Sequence, residues 1–173
     1  PAEWARAVER VAAVSARKDR RLTLAAMMCD LPARTVAAMI RRWGASNDLR
    51  DSLVWLGEHR DDWLRLGEMD LAEFRKLAGH REFGRLRAVW RARAGACADT
   101  AARLTRRRLR QIPDQPLPPP LLTGADLIRM GLRQGPALGR ILADAYDAQL
   151  NLEVRTRAEA LDRARRKVAD ELG

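Results

Sequence analysis

Histidine, cysteine and lysine are scarce in this chain of 173 residues, and each scarcity excludes something. His59 and His80 are the only histidines, so no Ser–His–Asp set can be assembled, and neither belongs to a short metal-ligand motif. Cys29 and Cys97 are the only cysteines, which makes neither a disulfide framework nor a zinc pattern. Both sit among alanines and other apolar residues and are expected as small buried hydrophobes in a cytoplasmic protein. No apolar run reaches the roughly 18 residues of a membrane span, and no signal-peptide pattern opens the chain, so no membrane partner is expected. Phosphate-cradling loops of the Walker type and nucleophile elbows are missing too, and no catalytic residue, metal ligand or cofactor is assigned. Asp48 with Asp51, and Asp144 with Asp147, are carboxylates three apart that solvated helix surfaces produce routinely. The first residue is Pro1 rather than Met, within a helical pattern, which suits an excised piece of a longer protein and a proline in the first helical turn.

What the chain has in excess is arginine. The formal net charge is +10, and lysine occurs only at Lys18, Lys76 and Lys167. Such a chain attracts polyanions through phosphate contacts and counterion release. Hydrophobic residues make up 47% and charged ones 32%, a balance that suits a globular fold and argues against general disorder.

Helical periodicity runs throughout, and no segment shows sustained two-residue alternation with β-branched residues. Trp4, Val8 and Val11 share one helix face. Val36, Met39, Ile40 and Trp43 form an i, i+3, i+4, i+7 stripe, and Phe83, Leu86 and Trp90 form another. Most of the five tryptophans lie on such stripes and are expected in the core. Asp19, Pro32, Asn47 and Asp70 mark helix starts, and Gly44 marks a stop. The spacing predicts an all-α protein: a helical body over 1–111, a linker over 112–122, and a small helical tail over 123–173. The linker carries Pro113, Pro116, Pro118, Pro119 and Pro120, which favour an extended, semi-rigid spacer.

Two places point toward RNA. Arg103, Arg106, Arg107 and Arg110 share one helix face, where like charges repel unless an anion or nearby acids offset them. After the linker, Thr123 reads as an N-cap with Asp126 completing an acidic capping box, Gly131 as a left-handed stop, and Pro136 as the first residue of the next helix. There the amides of Ala137, Leu138 and Gly139 lack intrahelical partners. With the turn at Gly135 and the side chains of Arg133 and Arg140, they are placed to meet a phosphate.

The run Leu122-Thr123-Gly124-x-Asp126-Leu127, then Gly131-Leu132-x-x-Gly135-Pro136-x-Leu138-Gly139-x-Ile141-Leu142, resembles the C-terminal region of bacterial class II tRNA nucleotidyltransferases. These are the CCA-adding enzymes and related poly(A) polymerases. Ala148-Gln149-Leu150 and Arg157-Ala158-Glu159-Ala160-Leu161 extend the likeness, as does Leu24-Ala25-Ala26-Met27-Met28-Cys29-Asp30-Leu31 upstream. The resemblance implies a helical neck, body and tail that hold tRNA or another RNA for 3′-end nucleotide addition. Catalysis would belong to an N-terminal head preceding Pro1, which carries a D-x-D pair and uses magnesium and nucleoside triphosphates. No D-x-D occurs in this chain, and Cys29 stands where many relatives have a histidine. Asp61-Asp62-Trp63-Leu64-Arg65 has the spacing of the family's E-D-x-x-R neck motif but lies downstream of the helix it should precede. The alternative from the residues themselves is a helical protein–protein interaction or dimerisation module, a homodimer included, with its arginines paired to acids.

Overall fold

The computed structural model describes residues 2–172, and Pro1 lies outside them. The described residues form an all-α protein without strands. The ten α-helices are α1 (Ala2–Ser15), α2 (Arg20–Met28), α3 (Ala33–Arg42), α4 (Asn47–Glu58), α5 (Leu71–Ala78), α6 (Phe83–Ala94), α7 (Ala98–Leu109), α8 (Gly124–Arg129), α9 (Pro136–Leu150) and α10 (Arg157–Leu172). No helix among the described residues is long and apolar enough to cross a membrane.

The chain divides into two compact units, and the division differs from the one that the prolines suggest. The first comprises residues 1–69 and 80–111, the second residues 70–79 and 112–173. Helix α5 belongs to the second unit because its polar bonds lie there. The Ala72 amide donates to Asn151 Oδ1 at 2.6 Å, and Lys76 pairs with Asp147 at 2.5 Å.

In the first unit the Phe83, Leu86 and Trp90 stripe is buried as expected, with Trp90 Nε1 donating to the His59 carbonyl at 2.9 Å. The tryptophan expectation otherwise fails. Trp55 and Trp63 are half-buried, while Trp4 is 67% and Trp43 54% exposed. Helix α1 turns Ala7, Arg10 and Val14 inward instead of Trp4, Val8 and Val11. The reason is polar: buried Arg10 donates Nε to the Ala26 carbonyl at 3.1 Å and Nη2 to Asp30 at 2.6 Å, which sets the helix's rotation. Asp30 is shared, since Arg93 Nη1 donates to it at 2.7 Å, and Arg93 also grips Asp61. Burial pushes the Asp30 carboxyl up, but the hydrogen bonds from Arg93 and Arg10 prevail and hold it below its ordinary range. Cys29 is buried, whereas Cys97, in the 3-10 turn ahead of α7, is exposed.

The second unit is built on Leu127, Ile141, Ala148, Ala160, Ala164 and Val168 from α8, α9 and α10. Its proline-rich segment is part of the fold rather than a spacer. The segment joins no helix, so its carbonyls have no helical amides to accept from and are available to side-chain donors. Tyr146 donates its hydroxyl to the Pro118 carbonyl at 2.9 Å, and Gln149 Nε2 donates to the Pro119 carbonyl at 2.9 Å. Gln149 Oε1 in turn accepts from the Leu121 amide at 3.0 Å. Arg75 of α5, only 1% exposed, donates Nε to the Pro116 carbonyl at 2.9 Å and Nη2 to the Gln115 carbonyl at 2.8 Å. It also reaches Asp114 at 3.2 Å and the Leu150 carbonyl at the end of α9 at 3.3 Å. Arg75→Met keeps the stem and removes the fork, stranding several acceptors. The expected loss is about 3 kcal/mol in urea unfolding followed by far-UV circular dichroism; a loss under about 1 kcal/mol would mean that the segment is held otherwise.

Candidate functional site

The local grammar of the glycine-punctuated stretch is as expected. The Thr123 amide donates to Asp126 Oδ2 at 2.9 Å within a capping box. Gly131 has φ +96°, a left-handed conformation that favours glycine, and Pro136 opens α9. Its anion-binding features are less available. The Gly139 amide donates to the Gly135 carbonyl at 3.4 Å and so is not free, contrary to expectation. Leu138 packs against the core of the second unit, 3.6 Å from where a Cβ on Gly124 would lie. Arg140 is paired with Glu171 at 2.7 Å. Ala137 stays half-buried at the helix start, and Arg133 and Gly135 are exposed, Arg133 without a side-chain partner among the described residues.

Asp126 has a structural task there. It is buried and also accepts from Arg129 and, at 2.6 Å, from Arg157, tying α8 to α10.

On α7 and at its C-cap, Arg103, Arg106, Arg107 and Arg110 are all exposed, and none meets a carboxylate among the described residues. Arg103 donates to Thr100 Oγ1 at 3.1 Å. Neighbouring Arg108 turns back onto the Met69 carbonyl at 2.7 Å. The two predicted sets fall in different units, Arg103 to Arg110 in the first and Arg133 to Arg140 in the second.

A concentration of uncompensated charge lies in the first unit, where α1 and the turn after it meet α6 and α7. Three recesses there share lining residues and form one groove, the largest of them about 520 Å³. Four of the lining arginines are committed to carboxylates: Arg10 to Asp30, Arg81 to Asp48, Arg85 to Asp19 and Glu82, and Arg93 to Asp61. The other five, Arg6, Arg17, Arg87, Arg91 and Arg106, have no side-chain hydrogen bond or ion pair among the described residues. Glu9, Asp19 and Asp99 are the only carboxylates on the lining. Ala13, Gly84, Ala88, Ala92 and Ala102 keep the floor low between these long side chains. Arg87 and Arg91 stand one helical turn apart, an arrangement in which like charges repel and an anion relieves the repulsion. Planar guanidinium forks suit phosphate oxygens bidentately.

Only Arg106 of these five was legible as a site residue. The others are single arginines in an arginine-rich chain, and the packing of α6 against α1 and α7 brings them together. The remaining candidate chemistry is engaged elsewhere. Asp144 is held by Arg163 at 2.9 Å and Lys167 at 3.3 Å, and Asp48 by Arg21 and Arg81. His80 stacks on Trp55 with ring centroids 3.7 Å apart, and His59 Nδ1 lies 2.6 Å from Asp62. Among the described residues no three His, Cys, Asp or Glu side chains group to hold a metal ion.

Asp126 generates a pH prediction. The Thr123 amide first, then the Thr123 hydroxyl and the charges of Arg157 and Arg129, hold its carboxyl below the ordinary range. A depressed folded-state pKa stabilises the fold above the unfolded value of about 3.9, and that stabilisation is lost as pH falls through the folded value. The urea midpoint of Asp126→Asn is therefore expected to fall less steeply than wild type between about pH 5 and pH 2. Parallel curves would show that Asp126 is uncoupled from folding.

Compared with protein-family models, curated proteins and solved structures, the chain matches none.

Proposed function

We propose that this chain is a non-catalytic, RNA-binding body-and-tail region of a nucleotidyltransferase of the CCA-adding or poly(A) polymerase kind. It positions tRNA or another RNA for 3′-end nucleotide addition by an N-terminal head, where magnesium and the nucleoside triphosphate would bind. The observation that carries the RNA-binding part is the groove with five arginines, Arg6, Arg17, Arg87, Arg91 and Arg106, that have no side-chain partner among the described residues. The link to this enzyme kind rests on the motif from Leu122 to Leu142. No exposed aromatic ring lines the groove, since Trp90 is buried, so it meets phosphates by charge and shape rather than by stacking on bases.

A second reading, a protein-interaction module, is favoured by Trp4 and Val8, which stand one turn apart on α1 at 67% and 49% exposed.

Titrating tRNA at rising salt separates the two. Five phosphate contacts predict that log K falls with log salt at a slope of about −4. Arg87→Gln with Arg91→Gln is expected to make that slope shallower by about 2 and to weaken binding at low salt. A flat salt response, or no tRNA binding at low salt, refutes the RNA reading.

A further inference from the structure

The acids of the first unit leave one helix uncovered. No carboxylate occurs between Leu31 and Asn47, a stretch that holds all of α3. The acids on either side are taken, Asp30 by Arg10 and Arg93, and Asp48 by Arg21 and Arg81. Helix α3 packs along α4 and buries Val36 and Ile40. Its solvent side is Arg34, Ala38, Arg41 and Arg42, at positions i, i+4, i+7 and i+8, which share one face of a helix. All four are exposed, and the three arginines have no side-chain hydrogen bond or ion pair among the described residues. Arg34 and Arg41 lie roughly 10 Å apart along the axis, with the short side chain of Ala38 between them. The helix dipole favours Arg41 and Arg42 in the last turn but disfavours Arg34 in the first, so Arg34 gains nothing from its own helix. This face is separate from the groove, which no residue of α3 lines.

We propose that the face of α3 formed by Arg34, Arg41 and Arg42 is a second phosphate-contact surface for RNA. It rests on the RNA-binding reading of the groove and extends it: the RNA meets the first unit at two separate places. Guanidinium forks bond phosphate oxygens bidentately, and a nucleic-acid backbone repeats such oxygens at regular intervals, so arginines in a line along a helix each find one. Contacts of this kind fix the position of the RNA without reading its sequence. A protein partner fits less well, because interfaces are anchored by buried aromatic and apolar side chains and this face offers only Ala38.

The experiment is fluorescence anisotropy of labelled tRNA and of labelled polyuridylate at rising salt, on the full chain and on variants whose far-UV circular dichroism matches wild type. With the α3 contacts added to those of the groove, the wild-type tRNA slope is expected to be about −6 rather than about −4. The triple variant Arg34→Gln, Arg41→Gln, Arg42→Gln is expected to make it shallower by about 2 to 3 and to weaken binding at low salt. That loss is expected to add to the loss from Arg87→Gln with Arg91→Gln, because the two sets share no partner. Arg50→Gln removes an arginine already held by Asp51 and is expected to leave the slope unchanged, which separates the face from net charge alone. An unchanged slope in the triple variant overturns the α3 surface and leaves the groove standing. Polyuridylate binding that depends on the three arginines, without tRNA binding, refutes the proposed function and leaves the α3 surface standing. The surface is also overturned if neither RNA binds at low salt, or if Arg50→Gln costs as much slope as Arg34→Gln alone. Polyglutamate binding as tight as tRNA binding, and lost in the triple variant, would make it a site for acidic protein and overturn it too.

Discussion

The second unit hangs on one guanidinium. A stretch with five prolines in eight residues supplies few amide donors, so it can join no helix or ladder. It becomes part of a fold only when side chains come to its carbonyls. Arg75 does this at Gln115 and Pro116 and also takes the last carbonyl of α9, where the helix dipole presents negative charge. Lysine has one compact head and cannot meet acceptors in several directions from one planar group. The predominance of arginine among the bases therefore has a structural side, independent of any partner.

The same economy organises the first unit. Arg10 and Arg93 share Asp30, and Arg93 extends the chain of ion pairs to Asp61, joining α1, the end of α2 and α6. Arg21, Arg81 and Arg85 do likewise around Asp48, Asp19 and Glu82. Arginines thus sort into those consumed by the fold and those left over. Among the described residues of the first unit the leftover ones include five lining the groove beside α6 and α7, three exposed on α3, and Arg107 and Arg110 at the end of α7.

Fold class and local punctuation were legible in the sequence. Asp19, Asp70, Thr123 with Asp126, Gly131 and Pro136 each do what their chemistry dictates, because capping and left-handed stops depend on residues a few positions away. Facing was less legible. The periodicity of Trp4, Val8 and Val11 points to a core face, but Arg10 turned α1 the other way through Asp30, twenty residues distant. The proline stretch misled for a related reason: its composition predicts an extended backbone, while Arg75, Tyr146 and Gln149 decide what that backbone lies against. The groove was the least legible feature, since Arg17, Arg91 and Arg106 share no motif and converge only through tertiary packing.

The discontinuous build of the second unit has a consequence for synthesis. Helix α5 buries Phe74 and Leu77, yet the Leu150 carbonyl that Arg75 grips lies 75 residues further along. At ribosomal rates of about 5–20 residues per second, that partner follows roughly 4 to 15 seconds after Arg75 is made. During that interval the 80–111 segment is made and can close the first unit, while the apolar face of α5 waits for α9. Such a chain leaves a vectorial window in which α5 is exposed to chaperones, and long-range closure rather than helix formation limits the second unit's folding.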